Sequence, residues 1–396
     1  MKAYCPPTWK DLETGQKSRP LEWVAEKLIF VVSLSAILMV LLIFLFVTRE
    51  AMPILLGRMN SAAVVARDTI PVSEMDKLSP EKLGEYLQMS PAEIKKADKE
   101  TLKTLMEIRV EGAKEASKNP EKEASKNPDT TINTTQWRYL LNPYQWSGYS
   151  KPEYIWQPVG DVHKYNIIPL IVGSLKVSMV ALLFSVPLAL GAAIYVSQLA
   201  NPKLKEWLKP AIELLSGIPS VVLGFFALIV MATYLQDLFG YQTRLNAFLA
   251  GTALGLAVIP LVFSIAEDAL TSVPRSYTQA ALALGSSRWQ AAWQIVLPAA
   301  MPGVFAAIVL GFGRALGETM IVVMTSSASI LSWSIFDSAR PITATIASEL
   351  AEAVFQGHHY RILFMLGAIL FTFTFVLNLL GGLIMTHLKT RLGGKA

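Results

Sequence analysis

The stretch QAALALGSSRWQAAWQIVLP, residues 279–298, lies between two long apolar runs of the chain. Its apolar residues recur at helical spacing in two pieces, the first ending at Leu284 and the second carrying Trp289 and Trp293. Gly285 lies where the pieces meet, and glycine can take a backbone angle that other residues avoid. The pattern therefore predicts two short helices joined by a turn at Gly285.

Each flanking run is long enough to cross a bilayer, which takes about 20 apolar residues. The chain is 53% hydrophobic and 16% charged, with a mean hydropathy of +0.42, so it is far more apolar than most soluble domains. The sequence therefore predicts an all-α integral membrane protein with six transmembrane helices. The predicted spans are Leu28–Thr48, Ile167–Ser197, Ala211–Leu235, Phe248–Leu270, Pro302–Met324 and Ile362–Thr386.

Lysine and arginine in the short flanks set the predicted orientation, because such flanks stay cytoplasmic. They cluster before the first span, after the last, and between the second and third, so both termini and residues 279–298 are predicted to be cytoplasmic. The first span is too long for a usual signal peptide and is predicted to be a retained anchor. The predicted order is tail 1–27, helix 28–48, extracytoplasmic insertion 49–166, core 167–388 and tail 389–396.

The predicted insertion contains helix signals and a repeat. Ser79-Pro80 and Ser90-Pro91 each place an N-cap serine before a proline at the first helical position, which predicts short amphipathic helices. The hexapeptide EASKNP occurs at 115–120 and again at 123–128, a composition typical of a flexible charged connector. The aromatic-rich residues 137–158 then precede the second span, either as an interfacial anchor or as a docking surface for an outside partner.

Trp289, Trp293 and Leu284 would expose much apolar surface in the cytoplasm, and exposed aromatic groups favour association. A cytoplasmic partner that takes a helix into a groove would cover them. Other classes of site are not expected. Cys5 is the single cysteine and cannot form an intrachain disulfide, and the four histidines lack metal-ligand spacing. The positive charge lies in membrane flanks, so no nucleic-acid partner is predicted.

Residues 279–298 resemble the EAA loop of ABC-importer permeases, whose pattern is Glu-Ala-Ala, three residues, Gly, nine residues and Ile-x-Leu-Pro. Gln279 stands where the family usually has Glu, and every other position matches. The resemblance implies that this loop couples the chain to an ATPase. The implied coupling residues are Gln279, Ala280, Ala281, Gly285, Trp289, Trp293, Ile295, Leu297 and Pro298.

From residue 156 to the C-terminus the chain resembles PstC-type permeases of phosphate importers. The blocks that carry this resemblance are GSLKVSMVALLFSVPLALGAAIYVSQLA, SGIPSVVLGFFAL, the EAA loop, LGFGRALGETM and ITATIASELAEA. It implies the type I importer (MetI-like) permease fold and alternating access in a bacterial inner membrane. The implied partners are a PstA-type permease, two PstB-type ATPases and a periplasmic phosphate-binding protein. Residues 49–155 have no counterpart in compact members of the family.

The chain has no G-x-x-x-x-G-K-[ST] loop, so it is predicted to be a non-catalytic subunit that binds no cofactor, with ATP and Mg held by the partner ATPases. Two alternatives to phosphate import stay open. One is a permease for another oxyanion such as sulfate, molybdate or phosphonate. The other is a membrane scaffold that senses phosphate without moving it.

Arg314 and Glu318 lie inside the predicted fifth span. Arg314 is twelve residues from Pro302, or about 18 Å along a helix, where an unpaired charge costs from about 3 to over 10 kcal/mol. Glu318 is expected on the same helix face, where the two can pair. They form either a structural ion pair, with Gly313 and Gly317 allowing close helix packing, or a phosphate site in which Glu318 competes for Arg314. The family resemblance points to the same two residues.

Other polar residues in the predicted spans are weaker candidates for the substrate pathway. Lys176 is expected to extend its long stem towards the membrane surface. Ser216 and Ser220 flank Gly217-Ile218-Pro219, where proline frees backbone groups that could line a cavity. Glu213, Glu267 and Asp268 fall near cytoplasmic span ends and are expected to be solvated.

Overall fold

The computed structural model describes residues 20–57, 75, 78–87, 89, 91–118, 129, 132–160, 162–329, 331–355 and 357–392. The predictions for Cys5, for most of the N-terminal tail and for the second EASKNP copy fall outside these residues. The chain divides into two compact units, residues 1–49 and 50–396. Helix α1, Pro20–Leu55, begins in the first unit. Its apolar segment Lys27–Leu55 is long enough to cross a membrane. The side chains of residues 27–43 are exposed, as lipid-facing side chains are, whereas Ala51 and Ile54 near its end are fully buried.

In the second unit, three helices follow the signals found in the insertion. Helices α2, Pro80–Leu87, and α3, Pro91–Lys96, begin at the two prolines, as the sequence predicts, and α4 spans Lys99–Lys118. Since α4 includes residues 115–118, the start of the first EASKNP copy is helical and not part of a flexible connector. The helices bury a small apolar cluster formed by Met75, Leu83, Tyr86, Ile94, Leu102 and Met106.

The aromatic segment forms a compact unit before the second span. Helix α5, Trp137–Leu141, is followed by strands β1, Trp156–Gln157, and β2, Lys164–Tyr165, which pair antiparallel with Trp156 opposite Tyr165. Asn166 fixes this segment through its side-chain amide, which donates to the carbonyls of Tyr139 and Asn142 at 3.1 and 2.8 Å.

The rest of the chain is mostly helical, and the described residues contain six helices able to cross a membrane. They confirm the six predicted spans. The core helices are α6 (Ile168–Ile194), α7 (Pro202–Leu214), α8 (Ser220–Phe226), α9 (Ala232–Phe239), α10 (Ala247–Thr271), α11 (Arg275–Ala283), α12 (Arg288–Ala291), α13 (Leu297–Gly317), α14 (Met320–Thr325), α15 (Ile342–Glu349) and α16 (His358–Leu392). Wider π turns at 195–199, 227–231 and 292–296 extend α6, join α8 to α9 and join α12 to α13.

Helix α10 is the centre of the bundle and the most buried of the spans. It packs closely on α6 and α13 because glycines lie at the contacts. A side chain at Gly251 would meet Val180 at 2.5 Å, and one at Gly311 would meet Val262 at 2.7 Å. Small residues at the crossing points let membrane helices approach closely and gain van der Waals contact. Such contact matters in lipid because no hydrophobic force drives the helices together there.

Two span boundaries differ from the prediction. The third span begins at Ser220 and not at Ala211, because α7 is a separate exposed helix and the chain turns at 215–219 before entering the bundle. The fifth helical run begins earlier, at Arg288, and ends at Gly317. The second half of the segment 279–298 is therefore continuous with a transmembrane helix.

Candidate functional site

The fifth span is broken at the predicted charged pair. Helix α13 ends at Gly317 with Arg314 in its last turn, Glu318 is extended (φ −69°, ψ 133°), and α14 starts at Met320. The prediction that Glu318 continues the helix on the face of Arg314 is therefore wrong. Among the described residues no ion pair joins the two side chains; Arg314 is exposed and Glu318 half-buried.

Backbone groups at the break are held by hydroxyl groups. Thr343 Oγ1 of α15 donates to the carbonyl of Glu318 at 2.9 Å, and Thr319 Oγ1 lies 3.4 Å from the carbonyl of Gly317. The last carbonyls of a helix have no partner within it, so such donors stabilise an end inside a bundle. The break thus depends on a residue that lies 25 positions further along the chain.

The predicted Gly313–Gly317 packing face is only half present. A side chain at Gly313 would lie 3.2 Å from Asn378 Oδ1 of α16, whereas no other atom lies within 4 Å of that position at Gly317. Asn378 is an amide in an apolar span, beside the residue that precedes Arg314. Sequence reasoning missed it, although a lone asparagine in a membrane helix is a usable signal.

The remaining substrate-pathway candidates are Lys176, Ser216 and Ser220. Lys176 Nζ donates to the carbonyls of Ser332 and Ser334 at 3.0 Å each, so it fixes the loop between α14 and α15 and does not extend freely to the membrane surface. Ser216 Oγ donates to the carbonyl of Glu213 at 2.6 Å and precedes the third span. Ser220 is the first residue of α8. Within the described part of the chain, no hydrogen bond or ion pair joins these residues to Arg314.

Helix α8 nevertheless reaches the break through α14. At Gly224 a side chain would lie 3.2 Å from the Cα of Ile321 and 3.0 Å from Met324 Sδ, so the two helices are in close contact. The third span and the second half of the broken fifth span therefore pack together.

Segment 279–298 has the predicted turn. Helix α11 ends at Ala283 and α12 starts at Arg288, and Gly285 between them has φ +85°, a left-handed angle that favours glycine. Ser287 and Gln290 cap α12 reciprocally, each side chain accepting from the other's backbone N–H. The turn is therefore set by local sequence.

The outward face of this segment is apolar. Leu284 is 88% exposed, and the exposed rings of Trp289 and Trp293 stack at 6.0 Å between centroids. Ala281 and Val296 point inward and are buried. Of the other predicted coupling residues, Gln279, Ala280 and Pro298 are exposed and Ile295 and Leu297 are half-buried.

A buried carboxylate lies close to this segment. The side chain of Glu267, near the end of α10, is 2% exposed and accepts from Lys205 and Lys209 of α7, each at 2.7 Å, and from Thr271 at 3.0 Å. The hydrogen bond to Glu267 raises the pKa of Lys209. The expectation that Glu267 is solvated is wrong, because α7 lies alongside the end of α10 and covers it.

A second polar cluster surrounds Glu349 at the end of α15. Its carboxylate accepts from Trp156 Nε1 at 3.2 Å and forms an ion pair with Arg340 at 3.0 Å, and His359 Nε2 lies 3.4 Å away. Tyr165 stacks on His359 at 5.8 Å. Burial raises the pKa of Glu349, although Trp156 and Arg340 act against it, and burial lowers the pKa of His163 beside Tyr165. Sequence reasoning missed this cluster.

Comparisons with known proteins agree on one family. Residues 185–394 match the model described as binding-protein-dependent transport system inner membrane component. The probable ABC transporter permease protein YqgH of Bacillus subtilis is 35% identical over 227 residues, 57% of this chain and 73% of that protein. The phosphate transport system permease protein PstC of Pasteurella multocida is 34% identical over 260 residues, 61% of this chain and 80% of that protein.

A solved structure with a similar chain is the MetNI methionine ABC transporter in an inward-facing conformation. The match is 17% identical, covers 56% of this chain and 94% of that chain, and has a TM-score of 0.43.

Proposed function

The chain belongs to the family of binding-protein-dependent transport system inner membrane components, and on this premise we propose that it is the PstC-type permease subunit of an ATP-driven phosphate importer. The observation that carries the proposal is its 34% identity over 260 residues to the phosphate transport system permease protein PstC of Pasteurella multocida. In this role the chain forms half of a translocation pathway, and a PstA-type permease forms the other half.

The complex is proposed to contain two PstB-type ATPases, carrying ATP and Mg, and segment 279–298 is proposed to couple this chain to an ATPase. The support is the exposed surface of Leu284, Trp289 and Trp293, which a groove on a partner would cover. Lys205 and Lys209 lie at the same end of the bundle through their bonds to Glu267, and lysines next to spans favour the cytoplasmic side. With this end in the cytoplasm, a periplasmic phosphate-binding protein would deliver phosphate to the opposite end.

The helical run Arg288–Gly317 is proposed to transmit the motion of the ATPases. It covers 30 residues, or about 45 Å, and carries the coupling tryptophans near its start and Arg314 near its end. A displacement of Trp289 and Trp293 would therefore move Arg314 directly. This link supports an alternating-access cycle in which the two permeases open to each side in turn.

Arg314 is the proposed phosphate ligand. Its planar guanidinium can donate two parallel hydrogen bonds to a tetrahedral oxyanion and stays protonated. Irregular backbone at membrane depth is tolerated where it is buried in protein or lines a water-filled cavity, which favours a pathway beside Gly317–Thr319. Glu318, on this irregular backbone, is proposed to replace phosphate at Arg314 when the anion leaves.

The test is phosphate uptake by the complete complex in proteoliposomes. Arg314→Gln should reduce uptake about 100-fold or more, because a charge-assisted bidentate contact is lost, and Arg314→Lys should restore little, since lysine lacks the fork. Arg244→Gln is the control. Among the described residues, the Arg244 side chain donates hydrogen bonds only to the carbonyl of Leu228 and to the hydroxyl of Thr233.

Unchanged uptake by the Arg314→Gln complex would contradict the site. Uptake of sulfate, molybdate or a phosphonate in place of phosphate would contradict the assignment of phosphate as the substrate. Sulfate, molybdate and phosphonate are therefore each added as competitors in the same assay.

A further inference from the structure

Helix α15, Ile342–Glu349, touches the break in the fifth span at its first turn. The hydroxyl of Thr343, whose residue is 8% exposed, donates to the carbonyl of Glu318 at 2.9 Å. Next to it the backbone N–H of Ile342 donates to Ser174 Oγ of α6 at 2.9 Å, inside the bundle. The first turn of α15 is therefore fixed to α6 and holds the irregular backbone after α13.

The other end of α15 is fixed as firmly. Glu349 is the last residue of the helix. Its carboxylate is held by Trp156 before the second span and by Arg340 before α15, and it lies 3.4 Å from His359 Nε2 at the start of α16. Eight residues of helix measure about 12 Å. Helix α15 is thus a short rod between the Glu349 cluster and the break.

We propose that Thr343 is a positioning residue, which places Glu318 where it can exchange with phosphate at Arg314, and that α15 ties this placement to the Glu349 cluster. The role of Glu318 in phosphate transport rests on the proposed function. The effect of Thr343 on the backbone conformation of residues 317–319 does not depend on the proposed function. Without the Thr343 hydroxyl the Glu318 carbonyl loses its hydrogen-bond donor, and residues 317–319 take other conformations.

The chain offers a matched control in the same helix. Thr345 is fully buried, but its hydroxyl donates to the carbonyl of Pro341, the residue just before α15, at 3.1 Å. Thr343→Val and Thr345→Val remove the same atom from the same helix with little change of volume. Only Thr343→Val removes a hydrogen bond to the backbone at the break.

The first measurement is the concentration dependence of phosphate uptake by the reconstituted complex. Thr343→Val should lower kcat/KM about 3- to 10-fold, the worth of one hydrogen bond, Thr343→Ser should restore it to within about twofold, and Thr345→Val should leave it near the wild-type value. Equal losses in the two valine variants would mean a general packing defect and overturn the proposal, and so would no loss in either.

The second measurement does not depend on the substrate. Cys5 is the single cysteine, so Cys5→Ser gives a cysteine-free chain in which Thr319→Cys can be labelled with a membrane-impermeant maleimide. Adding Thr343→Val should change the labelling rate at position 319 about threefold or more, and adding Thr345→Val should not. Normal uptake in the Arg314→Gln complex would refute the proposed site, whereas equal labelling in the two triple variants would refute the role of Thr343.

Discussion

The buried carboxylate of Glu267 helps to position the helices next to segment 279–298. Two lysines of α7 bond it, and it lies eight residues before Arg275, where α11 begins. Removing one partner of a buried ion pair costs about 3–5 kcal/mol, but both lysine side chains are about a third exposed, which lowers the cost through solvent screening. Glu267 therefore holds α7 against α10 by a moderate amount of free energy.

We expect Glu267→Gln to lower the free energy of unfolding by about 1–3 kcal/mol and the Tm of the purified subunit by a few degrees. Thermal unfolding in detergent measures this. Asp268→Asn is the control, because the Asp268 side chain is 73% exposed and lies 3.5 Å from Lys209 Nζ. This substitution should lower the free energy of unfolding by no more than about 0.5 kcal/mol. Similar Tm values for the two variants would show that burial of Glu267 contributes nothing.

At the scale of elements, segment 279–298 could be predicted because its signals are local. The turn needs Gly285, the cap needs Ser287 and Gln290, and these residues lie within six positions of one another. The break after α13 could not be predicted in this way. Its donor is Thr343, on another helix, and Arg314 and Glu318 have helical spacing in sequence although the helix stops between them.

We expect Gly285→Ala to weaken coupling to the proposed ATPases while the subunit still folds. Forcing a non-glycine residue to φ +85° costs about 1–2 kcal/mol, so the turn between α11 and α12 should change and move the exposed tryptophans. Co-purification of the ATPases and phosphate-stimulated ATP hydrolysis should both decrease. Gly191→Ala is the control, since Gly191 lies in helix α6 with no atom within 4 Å of the added carbon. Normal coupling in the Gly285 variant would contradict the importance of the turn.

At the scale of the whole molecule, hydropathy determines the spans, but the polar clusters depend on packing. The Glu349 cluster brings Trp156, 193 positions away in the chain, to Glu349 and to the two residues Arg340 and His359 that lie on either side of α15 in sequence. No local spacing relates these residues, so no sequence pattern could have indicated that they meet. The same holds for Glu267, which hydropathy places at a span end and which only the position of α7 makes buried.

The insertion is the part of the molecule whose role the family does not explain. Helices α2 to α4 bury their own apolar cluster, with Met106 fully buried, and this cluster is separate from the core of the spans. A unit with its own core can be removed with little effect on the rest, because shortening a surface connection changes loop entropy only slowly. Replacing residues 78–118 by a short Gly/Ser linker should therefore keep phosphate uptake within about twofold of the wild-type rate.

The same variant separates transport from sensing. If the chain is a permease, uptake and the co-purifying ATPases persist after residues 78–118 are replaced. If the insertion is the sensing part of a phosphate-responsive scaffold, the variant no longer signals phosphate status. This signal is measured as the expression of phosphate-starvation reporters, independently of phosphate uptake. Loss of uptake in a variant that still assembles with its partners would show that the insertion acts in transport itself, for example by receiving the binding protein.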